Sequence, residues 1–384
     1  MLTEEELAEA IERIIHRIDE VNRLFVKKIA AQILKIGELN ASSINRIIVM
    51  VEMGKNVREI TRELSQATAM NIRDIYQIYQ AALSDSYTDP RFREALQQQP
   101  LTPEQNDRLT MFAQNVAKQT ARSMMNLSNT TSIMPTYKDA VDRAIVATSM
   151  GLTGYKEAAR SIIRDVGSNG LQVYYASGYH RRLDTAIRQN IIDGVKQINQ
   201  HASLAMGEAL GFDAVEISAH AHSAPDHEPV QGRVFLKAEF EKMQAGFDFC
   251  DVDGKRYEGF RRPIGEWNCM HIAMGFSTQH SKRRYSDDQL KRWEEENAAG
   301  CEINGKHHTI YQARQLMRQL ETEVRREKDA ANAARENGND MEARKSHQKN
   351  INALTKKYYA VAKAAGLRAR GDRLSVEGFK MVKV

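Results

Sequence analysis

Residues 212–236 read "FDAVEISAHAHSAPDHEPVQGRVFL", and the periodicity of the chain changes there. Before this stretch, apolar residues recur every three or four positions, as they do along one stripe of a helix. Within it, "DAVEIS" and "GRVFL" are short β-branched or aromatic runs bounded by turn residues. A third run, "CDVDGKRYE" at 250–258, carries Asp253-Gly254, a strong hairpin signal. The stretch therefore predicts a small mixed unit over 212–280 that holds the one sheet of a helical chain. The expected fold is mainly α with a small α+β module.

Working outward, the first 36 residues place Leu7, Ile11, Ile14, Ile18, Val21 and Phe25 on one helical face. Their alternating steps of four and three suit a seam against another helix, of this chain or of a neighbouring subunit. Further helices are predicted over 43–53, 56–85, 103–127 and 136–149. Thr102 is the expected N-cap ahead of Pro103 at the first helical position. A long helix ends at Gly211, with Ile187, Ile191, Val195 and Ile198 on one face and Gly194 marking a close contact. After 280, two polar helices joined by "NGND" (337–340) form a hairpin. Its expected seam is Ile310, Leu316, Leu320 and Val324 against Ile351, Leu354, Tyr358 and Val361. The chain so divides into a helical region at 1–150, a helical connector at 151–211, the mixed module at 212–280 and the hairpin region at 281–384.

Composition narrows the function. The chain has 384 residues, enough to bury a substantial core, and its seven prolines are few, which favours long helices. No window of 18 apolar residues exists, so no membrane span is expected, and the acidic amphipathic start "MLTEEELAEA" is unlike a signal peptide. Three widely spaced cysteines (Cys250, Cys269, Cys301) point to a reducing compartment without a disulfide framework. A net charge of +5 is too mild to require nucleic acid as a partner. Arg181/Arg182, Arg261/Arg262, Lys282–Arg284, Arg325/Arg326 and Arg368/Arg370/Arg373 read as solvated helix faces, compatible with a surface lying near phosphates.

The candidate chemistry lies in the mixed module. His220 and His222 are two apart and would share one side of an extended strand, as would Cys269 and His271. His220, His227, Cys269 and His271 form a candidate metal set whose borderline-soft donors suit zinc. No Cys-x-x-Cys accompanies them, so the plainer expectation is no cofactor: His220 and His227 capping turns, and Cys269 a small buried hydrophobe. An enzymatic reading would use Cys269 as nucleophile and His227 or His220 as base, with Asp226, Asp251 or Asp253 supplying a carboxylate. No nucleophile elbow, His-Glu-x-x-His or phosphate-binding loop supports it, and catalysis is not expected. "DVDG" has only the start of a calcium loop and reads as a turn. Trp267 is expected to anchor the small sheet, and Met124 and Met125 to lie in the core.

One family is matched by motif order. "VEISAHAHSAPDHEPVQGRVF" (215–235), followed by "IGEWNCMHIAMGF" (264–276), resembles the phage minor capsid protein 2 family of tailed-phage head proteins. The shared elements fall on Ser218-Ala219-His220, Pro225 to His227 with Asp226 between, Gln231-Gly232 before Val234-Phe235, and Asn268-Cys269 with His271. "YYASGYHRRLDTAIRQNIIDGVKQ" (174–197) and "AGLRARGDRLSV" (365–376) are similar too, so the resemblance covers about 150–375. The family also looks distantly like Mu-type head morphogenesis proteins. This chain departs from that pattern in lacking their Cys-x-x-Cys and in ending its last element with Cys-Met-His.

The resemblance implies a structural virion protein, made in the host cytoplasm and incorporated at the portal vertex or in the capsid interior, with no membrane in the assembled head. The implied partners are the portal protein, the major capsid protein and packaged double-stranded DNA, bound without sequence preference. Several copies around the portal, and a role in head assembly and in DNA packaging or ejection, are implied as well. Residues 1–150 are assigned to docking on portal or capsid. The alternative is a metal-dependent hydrolase packaged in the head and delivered with the DNA.

Overall fold

A computed structural model describes residues 4–38, 43–87, 96, 100–129, 131–148, 151–175, 177–259, 262–266 and 269–384. Helices dominate: α1 (Glu4–Glu38), α2 (Ser43–Tyr87), α3 (Pro103–Asn129), α4 (Ile133–Ala147) and α5 (Gly151–Asn169) precede a ribbon of β1 (Gln172–Tyr174) and β2 (His180–Arg182). Then come α6 (Leu183–Ala209), β3 (Ala214–Ile217), β4 (Val234–Leu236), α7 (Lys237–Gln244), β5 (Phe249–Cys250), β6 (Arg256–Tyr257) and β7 (Ala273–Phe276). α8 (Asp287–Ala299), the β8 (Cys301–Ile303) and β9 (Lys306–His308) ribbon, α9 (Ile310–Glu336) and α10 (Met341–Ala364) complete the order. The mainly α class with small antiparallel sheets is as the sequence predicts.

The chain forms two compact units, each built from three separate stretches. One comprises Met1–Ile11, Ile72–Ser123 and Gln189–Gln312; the other comprises Glu12–Asn71, Met124–Arg188 and Ala313–Val384.

In the first unit, a three-stranded antiparallel sheet runs in the order β4-β3-β7. Val215 of β3 lies between Phe235 of β4 and Gly275 of β7. Beneath the sheet, Val215, Ile217, Val230, Phe235, Met243, Phe249, Ile264 and Ala273 make one buried cluster. The C-terminal part of α6 is fastened to β7. Gln200 Oε1 accepts the Ala273 N–H at 2.8 Å, and Ser203 Oγ accepts the Gly275 N–H at 3.2 Å. Gly207 and Gly275 face each other so closely that a Cβ on Gly207 would come within 2.9 Å of the Gly275 Cα. Gly194 does mark a close contact: the Tyr79 hydroxyl occupies the space its side chain would fill, and bonds Thr120 Oγ1 at 3.0 Å. Asp253-Gly254 turns the β5–β6 hairpin, and Asp251 Oδ1 accepts the N–H groups of Asp253 and Lys255. That oxygen is thereby committed to the turn and not to a calcium loop.

In the second unit, the α1 stripe is buried at Ile14, Ile18, Val21 and Phe25, and burial continues through Ile29, Ile33 and Ile36. Tyr137 of α4 donates to Gln32 Oε1 or the Lys28 carbonyl, and Tyr155 of α5 donates to the Ile33 carbonyl. Asn22 Oδ1 receives the Leu171 N–H at 2.8 Å, setting the start of β1. The α9–α10 hairpin forms, although Leu316 and Leu354 of the expected seam are only half-buried. Asp340 caps α10 by accepting the Ala343 N–H, and Leu320, Val324, Ile351, Tyr358 and Val361 are buried.

Three expectations are corrected. Helices 43–53 and 56–85 are one helix, α2, running through Gly54. A glycine in a helix interior costs about 1 kcal/mol against alanine, less than burial of Val49, Met53, Val57, Ile60 and Leu64 on one face supplies. The sheet at 214–276 is not the one sheet of the chain, because β1–β2 and β8–β9 add ribbons outside 212–280. Their three-residue strands are too short for alternation to show in sequence. Of the paired methionines, Met124 is in the core and Met125 is exposed.

Candidate functional site

β3 ends at Ile217, and the chain returns as β4 after a loop that carries most of the candidate residues. The loop is held at both ends. Ser218 exchanges bonds with Ile272: its N–H donates to the Ile272 carbonyl at 2.8 Å, and its Oγ accepts the Ile272 N–H at 2.9 Å. At the other end the Gly232 N–H donates to the Ile217 carbonyl, with Gly232 at φ +66°. A side chain there would be strained and would meet Leu290. Between these points the backbone turns on itself, with the His227 N–H donating to Ala224 and the Gln231 N–H to His227. His222 occupies the left-handed region at φ 60°.

This folding brings His227, Cys269 and His271 together. Their exposures are 0%, 1% and 2%, and their ligand atoms all lie within 4.8 Å of one another. Cys269 Sγ is 3.3 Å from His227 Nδ1 and 3.9 Å from His271 Nδ1. The far side of each ring is also engaged: His227 Nε2 is 2.8 Å from the Arg262 carbonyl, and His271 Nε2 is 3.4 Å from Gln231 Oε1. The same Gln231 oxygen accepts the His220 backbone N–H at 3.2 Å. His220 stands beside the three, its ring stacked on His271 with centroids 4.6 Å apart. Asp226 is at the rim, paired with Arg262 Nη2 at 2.7 Å and 3.8 Å from His227 Nε2. Lys196 of α6 donates to the Cys269 carbonyl at 2.8 Å, fixing the Cys269 segment from the helix side. Trp267 and Asn268 lie outside the described residues.

Burial, with the charges of His220 and His227 beside it, drives the His271 pKa down to about 2, so this ring is neutral. Burial also opposes charge on His227, yet the Cys269 sulfur and the Arg262 carbonyl together hold its pKa above the ordinary value. For Cys269, burial pushes the thiol up, and the hydrogen bond from His227, with further bonds from the backbone, brings it below its usual value. The cluster can therefore supply two imidazoles and an acidified thiol to a soft or borderline cation. Neither Lys196 nor the Arg262 carbonyl was among the expected site residues. Their contribution comes from where the backbone runs, which no spacing rule reveals.

The arginine clusters need a correction. Arg182 and Arg325 are not solvated; both are buried in the second unit. Arg325 Nη2 contacts Asp19 at 3.0 Å and Asp184 at 2.7 Å, while Arg182 contacts Asp184 at 3.3 Å and Asp329 at 2.7 Å. Three carboxylates surround two guanidiniums, and burial pushes Asp19 up to about 7. The Arg182 and Arg325 guanidiniums are committed to carboxylates and are not free to meet phosphate.

Among the described residues, no helix is long and apolar enough to cross a membrane. No curated protein and no solved structure matches the chain. Among known families, phage minor capsid protein 2 matches residues 2–359. The match begins well before 150, so it takes in the N-terminal helices as well as the motif-bearing region. A match over nearly the whole chain shows the family: the chain belongs to the phage minor capsid protein 2 family of structural phage proteins.

Proposed function

We propose that the protein is an internal head component that docks at the portal vertex through its N-terminal helical region and assists head assembly and the packaging or ejection of DNA. The observation that carries this reading is an apolar face on α2. Ile47, Ile48 and Val51 are 64%, 46% and 55% exposed, and Met50 beside them is exposed too. Four large apolar side chains within five residues are unusual on a free surface and fit an assembly contact. The portal protein is the proposed occupant, with several copies arranged around it. The major capsid protein and nonspecific DNA are neighbours within the head.

In this reading the His/Cys cluster shapes the module and does not catalyse. A nucleophile needs an open approach for substrate, and Cys269 and His227 are closed off from solvent. Removing residues 1–40 would be a poor test of docking, because α1 supplies core residues from Ile14 to Ile36. Charging the exposed face of α2 is cleaner. An Ile47→Asp, Ile48→Asp, Val51→Asp variant with unchanged helicity and melting temperature should be missing from purified heads and from portal complexes. Incorporation at the wild-type level would sink the docking assignment.

A further inference from the structure

We propose that His227, Cys269 and His271 bind a zinc ion that ties the 217–233 loop to the 262–272 segment. A count of ring protons supports it. The Arg262 carbonyl can only accept, so the facing His227 Nε2 carries the ring hydrogen. Gln231 presents its oxygen to the His220 backbone N–H, so the His271 Nε2 that faces the same oxygen carries a hydrogen too. Once His227 gives up any proton at Nδ1, each ring has its lone pair there, and both lone pairs face the Cys269 sulfur. A thiol has one proton and can satisfy one of them. A divalent cation satisfies all three donors at once.

The spacing fits. Zinc–sulfur and zinc–nitrogen bonds at a tetrahedral angle put sulfur and nitrogen about 3.6 Å apart. The two separations here, 3.3 and 3.9 Å, fall on either side of that value. Two imidazoles and a thiolate are borderline-soft donors of the kind zinc takes. The outward bonds from each Nε2 to a carbonyl or amide oxygen are what orients histidine ligands in metal sites. His220 stacks on His271 beside this set but is not one of the three mutually close donors. On binding, the cation replaces the thiol proton, which leaves to solvent; no redox partner is needed. The depth of burial marks a structural site, and a single Cys-x-His pair here takes the place of the missing Cys-x-x-Cys.

The test uses the full-length protein, stripped with a chelator and titrated with Co2+ alone. About one Co2+ per chain is expected. It should show an intense near-ultraviolet thiolate-to-cobalt charge-transfer band that added Zn2+ abolishes. Cys269→Ser should lose the band, while a Cys250→Ser, Cys301→Ser double variant keeps it. Gln231→Leu, outside the donor set, should weaken Co2+ affinity by about tenfold or more. If Cys269→Ser does not fold, the wild-type protein still decides. A folded wild type that takes up no Co2+ or shows no band overturns the site, and so does a band that depends on Cys250 or Cys301.

Discussion

The two units bury polar groups by opposite means. The second places Asp19, Asp184 and Asp329 around Arg182 and Arg325, so formal charges neutralise one another. The first gathers His227, Cys269 and His271 with Gln231 as a shared acceptor, so neutral donors and acceptors must match in number and direction. A charge network tolerates an uneven count by holding a proton. The His/Cys cluster relies instead on the direction of each donor and acceptor, with His227 held above its ordinary pKa by Cys269 and the Arg262 carbonyl.

The largest expected effect breaks the charged side of this comparison. Arg325→Met leaves Asp19 and Asp184 without their shared partner, and stability should fall by about 3–5 kcal/mol in chemical denaturation. A loss under about 1 kcal/mol would mean that the network is not closed to water.

The next effect concerns the proton. Burial raises Asp19 to about 7 in the folded state, above its ordinary 3.8. Between those values the folded chain holds a proton that the unfolded chain has released, so stability falls as pH rises from about 4 to 7. Asp19→Asn has no such proton to lose. Its stability relative to wild type should therefore climb over the same window, as read by melting temperature across a pH series. Parallel curves would contradict a protonated Asp19.

On the neutral side, Gln231→Leu removes the acceptor for the His220 N–H and the His271 Nε2–H. A loss of about 1–3 kcal/mol is expected, and Gln231→Glu, which keeps an acceptor, should recover part of it. Lys196→Met, which deletes the bonds to the Cys269 carbonyl and the Met270 sulfur at the edge of the cluster, should cost about 1 kcal/mol. If both substitutions proved silent, the cluster would be a loose turn and the contrast between the units would collapse.

Legibility in the sequence followed burial geometry. The α1 stripe was plain because one face is buried over several turns, so Ile14, Ile18, Val21 and Phe25 recur at helical steps. β3 and β4 were visible through their β-branched and aromatic runs. β7 was not: Ala273, Met274, Gly275 and Phe276 are all buried, so nothing alternates, and two of its N–H groups are tied to side chains 70 or more residues away. The His/Cys residues were legible as a set, and three of the four expected metal donors do meet. His220 stacking beside them depends on a ring orientation that spacing does not encode. Arg182 and Arg325 read as solvated helix faces because a basic pair looks the same whether water or an aspartate lies opposite, and Arg182 is in fact on β2.

The interleaving of the units bears on synthesis at the ribosome. The first unit needs the chain through Gln312, and the second needs the α9–α10 hairpin, which is translated after both of that unit's other stretches. Neither core can close on a nascent chain by local pairing alone, so most of the protein must be translated before either is complete. Until then the long apolar faces of α1 and α2 are open to other chains. Production of the protein should therefore be sensitive to chaperone supply and to C-terminal truncation in a way that a string of sequential domains would not be.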